Sequence, residues 1–490
     1  PYTTLFRSSS KMNYNDFFKM IPEASLVAIL IILFVADFIS AKTEERKWFN
    51  PLASALLLAN TVVCMLQLQP EDAFGGMYTT STAINVMKTI LAFGTFIVVL
   101  QSRVWAEKSG KEGEFYMLAV STLLGMEVMM SAGNFLMFFL GLEMASVPMA
   151  CVIAFDAYRN NSAEAAAKFI LTATFSSGVM LYGISFLYGA YGTMYFTDIA
   201  TNLQATPFTI MGLVFFFSGL GFKISLVPFH FWTADTYQGA PTTVTGYLSV
   251  ISKGAAAFTL LSILFHVFGG MIAYWHVLMM IVVALSITVA NLFAIRQGEL
   301  KRFMAFSSIS QAGYIMLAAL GNSWESSVAS LSYYVLIYVV ANMAVFTIIA
   351  VVEQNNGGKT NIADYNGFYK TNPRLSFLMT IAMFSLGGIP PFAGMFSKFF
   401  VFMSGVKGAD IATSEGAWTY VILFVALINT VVSLYYYLKI VKAMYINHSD
   451  APMPTFKSDC NTKFALAVCT TGIILFGVCS YVYEWIAAAI

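Results

Sequence analysis

Long apolar runs alternate with short segments rich in charged residues, proline, glycine or asparagine along the whole chain. A helix needs roughly 20 apolar residues to cross the hydrocarbon core of a bilayer, and the runs repeatedly reach that length. Runs this uniform must be helical, because the bilayer interior holds no water to bind an open backbone. The pattern predicts an all-α polytopic membrane protein with about fourteen transmembrane helices, at residues 21–40, 52–69, 84–101, 115–131, 135–155, 165–189, 207–228, 241–266, 272–295, 301–320, 327–352, 375–404, 417–442 and 463–488.

Basic residues indicate the orientation of these helices. The loops after odd-numbered helices hold most of them, including Arg46, Arg103, Arg159, Arg302 and Lys439. Apart from Arg7 near the start of the chain, the opposite side is assigned only Lys11, Lys19, Lys88 and Lys407. By the positive-inside rule, the odd-numbered loops are cytoplasmic and both termini lie on the non-cytoplasmic side.

Proline interrupts two of the predicted spans. Pro228 lies in the seventh, and a segment rich in glycine and proline at 387–394 lies in the twelfth. Proline removes a backbone hydrogen bond and clashes with the preceding turn, so both helices are predicted to be discontinuous. Because the interruptions are five spans apart, the two helices run in opposite directions, as in transporters built from inverted repeats. Two unrelated proline kinks remain the alternative.

These features predict a division of the chain into five parts. The first residues match nothing that follows and are interpreted as a non-native leader. Two inverted five-helix repeats form the centre, flanked by additional helices at each end. The predicted parts are the leader at 1–11, helices 1–3 at 12–114, helices 4–8 at 115–266, helices 9–13 at 267–446 and helix 14 at 447–490.

Composition agrees with a membrane protein and narrows its chemistry. Hydrophobic residues make up 58% of the chain and charged residues 10%, against about 25% charged in soluble domains. A net charge of +1 gives no basic surface for nucleic acid, and the five cysteines, without a CxxC pair, suit small core residues better than metal ligands. The sequence contains no dinucleotide-binding glycine motif, P-loop or haem-ligand histidine pair. No cofactor is therefore expected on this chain, and its energy must come from an ion gradient or from partner subunits.

Several ionisable residues fall inside the apolar spans, where a central charge costs about 2.5–3.5 kcal/mol on insertion scales. They are Glu143 in helix 5, Lys168 in helix 6, Lys223 in helix 7, Lys253 in helix 8 and Lys398 in helix 12, with His230 after the first break as a further candidate. A buried glutamate and lysine can hold their protons in two arrangements of similar energy, which suits a proton relay. A static ion pair is the alternative, and Lys168 can also form a surface pair with Glu164, four residues earlier.

Four segments carry a resemblance to a known family. They read FFLGLE at 138–143, GFKISLVPFHFW at 221–232, DTYQGAPTTVTGYLSVISKGAAAF at 235–258 and KRFMAFSSISQAGY at 301–314. Together they resemble the antiporter-like, proton-conducting membrane subunits of respiratory complex I, which are similar to Mrp-type sodium/proton antiporter subunits. The third segment, and the lysine at position 398, resemble the subunit N branch of this family, whereas subunit M is expected to carry glutamate at that position.

The resemblance implies a fourteen-helix fold and a role for each matching position. Glu143 and Lys223 are expected to pair, with Lys168 as their neighbour. Lys253 is expected to be the central relay residue and Lys398 the exit-side residue. Glu127 in helix 4 departs from the family pattern, in which an apolar residue is expected, and it can also lie near the membrane edge. Its role stays open.

The resemblance also implies the surroundings of the chain. It predicts a subunit of a proton-translocating NADH:quinone oxidoreductase in the bacterial inner membrane, with FMN, iron–sulfur clusters, NADH and quinone bound by partner subunits. The expected partners are the neighbouring antiporter-like subunit M and the small subunits K, J, A and H. The rival interpretation is a gradient-driven Mrp-type cation/proton antiporter subunit.

Overall fold

The computed structural model describes residues 14–42, 45–67 and 69–490, so the predicted leader at 1–11 lies outside the described residues. Every predicted span is helical. The helices are α1 (Ile21–Ser40), α2 (Phe49–Leu66), α3 (Thr82–Gln101), α4 (Glu112–Met130), α5 (Phe135–Ile153), α6 (Asn160–Tyr191), α7a (Pro207–Ile224), α7b (Phe231–Gly239), α8 (Thr242–His266), α9 (Gly269–Ile295), α10 (Leu300–Leu320), α11 (Trp324–Asn355), α12a (Pro373–Gly387), α12b (Ala393–Val406), α13 (Ser414–Tyr445) and α14 (Cys460–Val478). Shorter helices are Arg103–Ser109, Phe196–Asn202, Phe368–Thr371 and Tyr481–Ala489, and β1 (Asp72–Ala73) pairs antiparallel with β2 (Tyr78–Thr79).

By length and composition, 12 helices in the described part of the chain can cross a membrane. The remaining two spans are α4, which carries several glutamates, and α12, which is broken into two shorter helices. The predicted all-α polytopic fold is therefore confirmed. The limits of the two inverted repeats, 115–266 and 267–446, stay a prediction.

Three helices are longer than the apolar runs that predict them. α6, α11 and α13 each contain 32 residues and extend beyond the predicted span at both ends. Polar residues such as Asn160, Glu353 and Glu415 continue these helices past the apolar core, where helical backbone remains favourable although hydropathy falls. Hydropathy alone therefore underestimates helix length.

The helices divide into a buried centre and a surface that suits lipid. α10 and α11 are almost completely buried, whereas α1 and α13 expose apolar side chains such as Phe34 and Trp418. Polar and charged side chains are costly in lipid and are expected to face the interior of a bundle. The central helices are where the buried serines, tyrosines and lysines of this chain collect.

Both predicted helix breaks are present, and side chains satisfy backbone groups that the breaks leave free. After α7a, Ser225 is left-handed (φ 65°), and the Val227 N–H donates to Ser286 Oγ of α9 at 2.9 Å. After α12a, the chain turns at Gly388 (φ 78°), and Ser385 Oγ accepts a hydrogen bond from the first turn of α12b at 3.2 Å. Such partners make irregular backbone tolerable at membrane depth.

The structure shows where two ionisable residues near helix ends lie, and one of them, Lys88, differs from the prediction. Lys88 is not a loop residue of the face opposite the basic loops, because it lies inside α3 with 0% of its surface exposed. It pairs with Glu23 of α1 at 2.5 Å. Glu127 lies in the protein interior, also 0% exposed, and three residues from the end of its helix, so it is both buried and close to the membrane edge. Without Lys88, the charge asymmetry between the two faces is larger than predicted.

α4 and α5 pack so closely that each places a glycine against the backbone of the other. A Cβ on Gly141 would lie 2.4 Å from Met129 N, and a Cβ on Gly125 would lie 2.4 Å from Ala145 N. We expect Gly141→Ala to lower the free energy of unfolding by about 1–3 kcal/mol, the usual cost of overpacking, because backbone cannot rotate away. Thermal unfolding in detergent measures this, with Gly178→Ala on the open face of α6 as the control. Equal unfolding temperatures for the two variants would contradict it.

Candidate functional site

Lys253 lies in α8 at the centre of the bundle and is 1% exposed. Its ammonium donates to Ser308 Oγ of α10 at 2.6 Å and lies 5.6 Å from the ring centre of Tyr237. Among the described residues, no carboxylate lies within 4.0 Å of this ammonium. The preceding turn, Leu248–Ser252, is π-helical, a feature frequent at functional sites. Lys253 can therefore release its proton without breaking an ion pair.

Lys223 of α7a and Glu143 of α5 interact electrostatically, but each is held by its own serine. Lys223 Nζ donates to Ser146 Oγ at 2.6 Å, and Ser177 Oγ donates to Glu143 Oε1 at 2.6 Å. Ser146 follows Glu143 by nearly one turn of α5, which keeps the two charges on neighbouring parts of the helix surface. The expected Glu143–Lys223 pair is thus a longer-range interaction here, with no ion pair within 4.0 Å between these described residues.

Lys398 lies in α12b, close to the break, and is 5% exposed. Its ammonium donates to the carbonyl of Leu386 at 3.2 Å and lies 4.7 Å from the ring centre of Tyr314. The Leu386 carbonyl belongs to the last turn of α12a, and the last four carbonyls of a helix have no partner within it. The break in α12 therefore supplies the acceptor that holds this lysine.

A row of polar side chains on α10 continues from the serine that binds the central lysine. The preceding residue, Ser307, is hydrogen-bonded to Tyr437 Oη at 2.5 Å. Gln311, one turn further, donates from Nε2 to Tyr437 Oη at 3.0 Å and to the Leu386 carbonyl at 3.1 Å. That carbonyl also accepts from Lys398. These hydrogen bonds link Ser307, Tyr437 and Gln311 to the carbonyl that holds Lys398, and the adjacent Ser308 binds Lys253.

Two small cavities border the buried lysines. One, of about 20 Å³, is lined by Lys223, Ser146 and Ser252, the residue before Lys253. The other, of about 10 Å³, is lined by Lys398 among others. A water molecule needs roughly 10–15 Å³, so the first cavity is large enough for one water and the second is at the lower limit.

Lys168 lies at the half-exposed start of α6. Its ammonium binds Glu164 at 2.7 Å and Asp235 of α7b at 2.8 Å, and Asp235 also binds Arg302 at 2.7 Å. The surface pair with Glu164 is therefore present, and a cavity of about 150 Å³ adjoins these groups. Among the described residues, no ion pair within 4.0 Å joins Lys168 to Glu143.

His230 is half-buried at the start of α7b. Its ring lies 4.5 Å from the ring of Phe231, measured between centroids. None of the hydrogen bonds found in the described part of the chain joins it to a buried lysine. The structure therefore does not connect His230 to the row of lysines.

Sequence reasoning overlooked the hydroxyl and amide groups that lie beside the lysines. Ser307, Ser308 and Gln311 lie in the segment at 301–314, which resembles the family as a whole and suggested no individual roles. Polar side chains inside an apolar span are themselves a signal, because they need internal hydrogen-bond partners. Tyr437 gives no such signal, since tyrosine is common in the apolar spans of this chain.

Comparison with known proteins gives concordant matches. The family model described as NADH:quinone oxidoreductase/Mrp antiporter, transmembrane, matches residues 132–429. The NADH-quinone oxidoreductase subunit N of Phocaeicola vulgatus is 54% identical over 478 residues, which are 96% of this chain and 98% of that protein. The subunit N of Neisseria gonorrhoeae is 32% identical over 98% of this chain and 99% of its own length.

Solved structures agree with these matches. A chain of respiratory complex I from Thermus thermophilus superposes with a TM-score of 0.79 at 27% identity, covering 95% of this chain and 99% of that one. A chain of the Mrp complex from Dietzia has a TM-score of 0.82 at 17% identity, covering 96% of each chain, and this likeness concerns the fold alone. The sequence matches extend over nearly the full length, so the chain belongs to the NADH-quinone oxidoreductase subunit N family.

Proposed function

We propose that this chain is a proton-translocating membrane subunit of an NADH:quinone oxidoreductase. Partner subunits transfer electrons from NADH to quinone, and this chain moves protons through the relay formed by Glu143, Lys223, Lys253 and Lys398. The observation that carries the proposal is the row of buried ammonium groups, of which Lys253 is held by a hydroxyl and Lys398 by a carbonyl. A fixed structural ion pair would instead hold each lysine against a carboxylate.

Protons enter the row from the face of the basic loops. There Glu164, Lys168 and Asp235 line a cavity of about 150 Å³ that water can fill, and Arg302 binds Asp235. When Glu143 approaches Lys223, it stabilises the protonated lysine. When the carboxylate withdraws, an uncompensated buried ammonium favours release of its proton towards Lys253.

The proton then follows the polar groups of α10 to Lys398. Moving one charge against 100 mV costs about 2.3 kcal/mol, which a change in the separation of two buried charges can supply. His230 has no assigned step, and Lys168 acts as an entry group.

The proposal includes the surroundings of the chain. We propose subunit M and the small subunits K, J, A and H as neighbours in the bacterial inner membrane. FMN, iron–sulfur clusters, NADH and quinone are assigned to the partner subunits. The excess of basic residues in the odd-numbered loops supports a cytoplasmic position for that face and a non-cytoplasmic position for both termini.

Purification through a tag on this chain tests the proposal. In a mild detergent we expect it to co-purify with subunits that oxidise NADH, and the reconstituted assembly to move protons only while NADH is oxidised. The alternative is an Mrp-type antiporter subunit, because the chain of the Dietzia Mrp complex has a similar fold. Isolation without NADH-oxidising subunits, together with exchange of sodium for protons in the absence of NADH, would overturn the proposal.

A further inference from the structure

A second group of buried ionisable side chains lies outside the proposed relay, among the first four helices. Lys88 Nζ of α3 donates to Glu23 Oε1 of α1 at 2.5 Å and lies 3.2 Å from the hydroxyl of Tyr78, which donates to Glu23 Oε2 at 2.9 Å. Glu127 of α4 lies within electrostatic range of both Glu23 and Lys88. Its nearest polar partner is the thiol of Cys64, 3.8 Å from Oε1.

The charges of this group do not balance if both carboxyl groups are ionised. One ammonium faces two carboxyl groups, and the hydrogen bonds of Lys88 go to Glu23 and Tyr78. Glu127 is 0% exposed, and its Oε2 has no hydrogen-bond partner among the described residues. An uncompensated buried carboxylate costs several kcal/mol, whereas a neutral carboxylic acid avoids this cost. Tyr247 of α8 is also within range of Glu127 but adds no positive charge.

Unpaired polar atoms near the group indicate that it takes up a small polar species. Asn85 lies one turn before Lys88 on α3 and is completely buried. Neither polar atom of the Asn85 side chain has a hydrogen-bond partner among the described residues, and the same holds for the hydroxyl of Ser131, one turn after Glu127. Buried polar groups are normally paired with protein or water. These atoms can therefore bind a water molecule that carries a proton to Glu127.

The group lies close to the face opposite the basic loops. Glu127 is three residues from the end of α4 and Lys88 six residues from the start of α3, so both lie within about 10 Å of the helix ends at 1.5 Å per residue. A cavity of about 320 Å³ is lined on this face by Thr79, Ile84 and Met130 among others. Each of these is a near neighbour in sequence of a member of the group, so the cavity brings space for water close to it.

We propose that Glu127, beside the Glu23–Lys88 pair, forms a proton-binding site that exchanges with the face opposite the basic loops. In the resting protein Glu127 is a neutral carboxylic acid. A sodium ion is disfavoured as the occupant, because the hydrogen-bond partner of Glu127 among the described residues is a thiol, not an oxygen ligand, and the Lys88 ammonium within electrostatic range would repel a cation. Among the described residues there is no cluster of three or more histidine, cysteine, aspartate or glutamate side chains that suits a metal ion.

Infrared difference spectra of the assembled complex, isotope-labelled at glutamate, test the proposal. Subtracting the spectrum of Glu127→Gln from that of the unsubstituted protein at neutral pH is expected to reveal the carbonyl band of a single protonated carboxyl, shifted in D2O. The matched control is Glu114→Gln, an exposed position on the same helix, which is expected to remove carboxylate bands instead. If Glu127→Gln does not assemble, Glu127→Asp is expected to shift the same band.

A second variant tests the charge balance. Lys88→Met leaves Glu23 without its ammonium, so a second protonated carboxyl band is expected, and it disappears when Glu23→Gln is added. Loss of carboxylate bands in Glu127→Gln would overturn the proposal, because Glu127 would then be ionised. A Glu127 signal that changes with sodium at constant pH would also overturn it in favour of a metal-cation site. Neither outcome depends on whether the relay residues conduct protons.

Discussion

We expect Lys253→Met to remove the contribution of this chain to proton translocation. The side chain is 1% exposed and lies between the cavity beside Lys223 and the polar row that starts at Ser308. Without a proton acceptor at this point, a charge must cross an apolar gap at a cost of several kcal/mol, and about 4 kcal/mol slows a step by a factor of about 1,000. The measurement is protons moved per NADH oxidised by the reconstituted complex.

A further substitution tests whether this position needs a side chain that can release a proton or only one with a positive charge, and a second serves as the control. Lys253→Arg keeps the positive charge but cannot release a proton, so we expect it to be as inactive as the methionine variant. Lys407→Met removes an exposed lysine after α12b and is expected to leave the ratio unchanged. An unchanged ratio in a normally assembled Lys253→Met complex would refute the relay.

Replacing Glu143 with glutamine is expected to slow this chain's proton transfer by a factor of about 100 to 1,000. Removing one partner of a buried charge pair costs about 3–5 kcal/mol, and each 1.36 kcal/mol is tenfold in rate. We use the lower part of this range because Glu143 and Lys223 are separated here, each bound to a serine. Proton translocation per NADH in vesicles again provides the readout.

The double variant Glu143→Gln/Lys223→Met tests whether the two residues act as a unit. If they do, the double substitution is expected to cost no more than the more severe single one. Glu114→Gln, on the exposed surface of α4, controls for the loss of a glutamate. Strictly additive losses would mean that Glu143 and Lys223 act independently, which would contradict a shared charge switch.

Most lysines of the proposed relay could be predicted from the sequence, because a charged side chain is energetically costly in lipid. Lys223, Lys253 and Lys398 stand out in apolar spans, and each proves to be buried within the bundle. Lys168 gave the same signal, yet it lies at a half-exposed helix start with carboxylates on both sides. Position within a span does not reveal which face of the helix a residue occupies, and that face decides between solvent and interior.

The contacts within the group around Glu127 could not be predicted from the sequence, for a related reason. Lys88 was counted with the loops because it lies only two turns from a helix end, and Glu23 is at the very start of α1. Only the packing of α1, α3 and α4 brings their side chains together. Residues more than 60 positions apart, such as Glu23 and Lys88, share no local pattern that would predict their contact.

The membrane-spanning class, the number of helices, their breaks and the burial of Lys223, Lys253 and Lys398 follow from the sequence alone. These follow from local physics, since each apolar run must satisfy its own backbone in lipid and each proline disrupts its own helix. Tertiary structure alone decided that Lys253 has a serine partner and that Lys398 binds a carbonyl freed by the break in α12. Those contacts depend on the rotation and spacing of helices that are distant in sequence, and side-chain packing sets both.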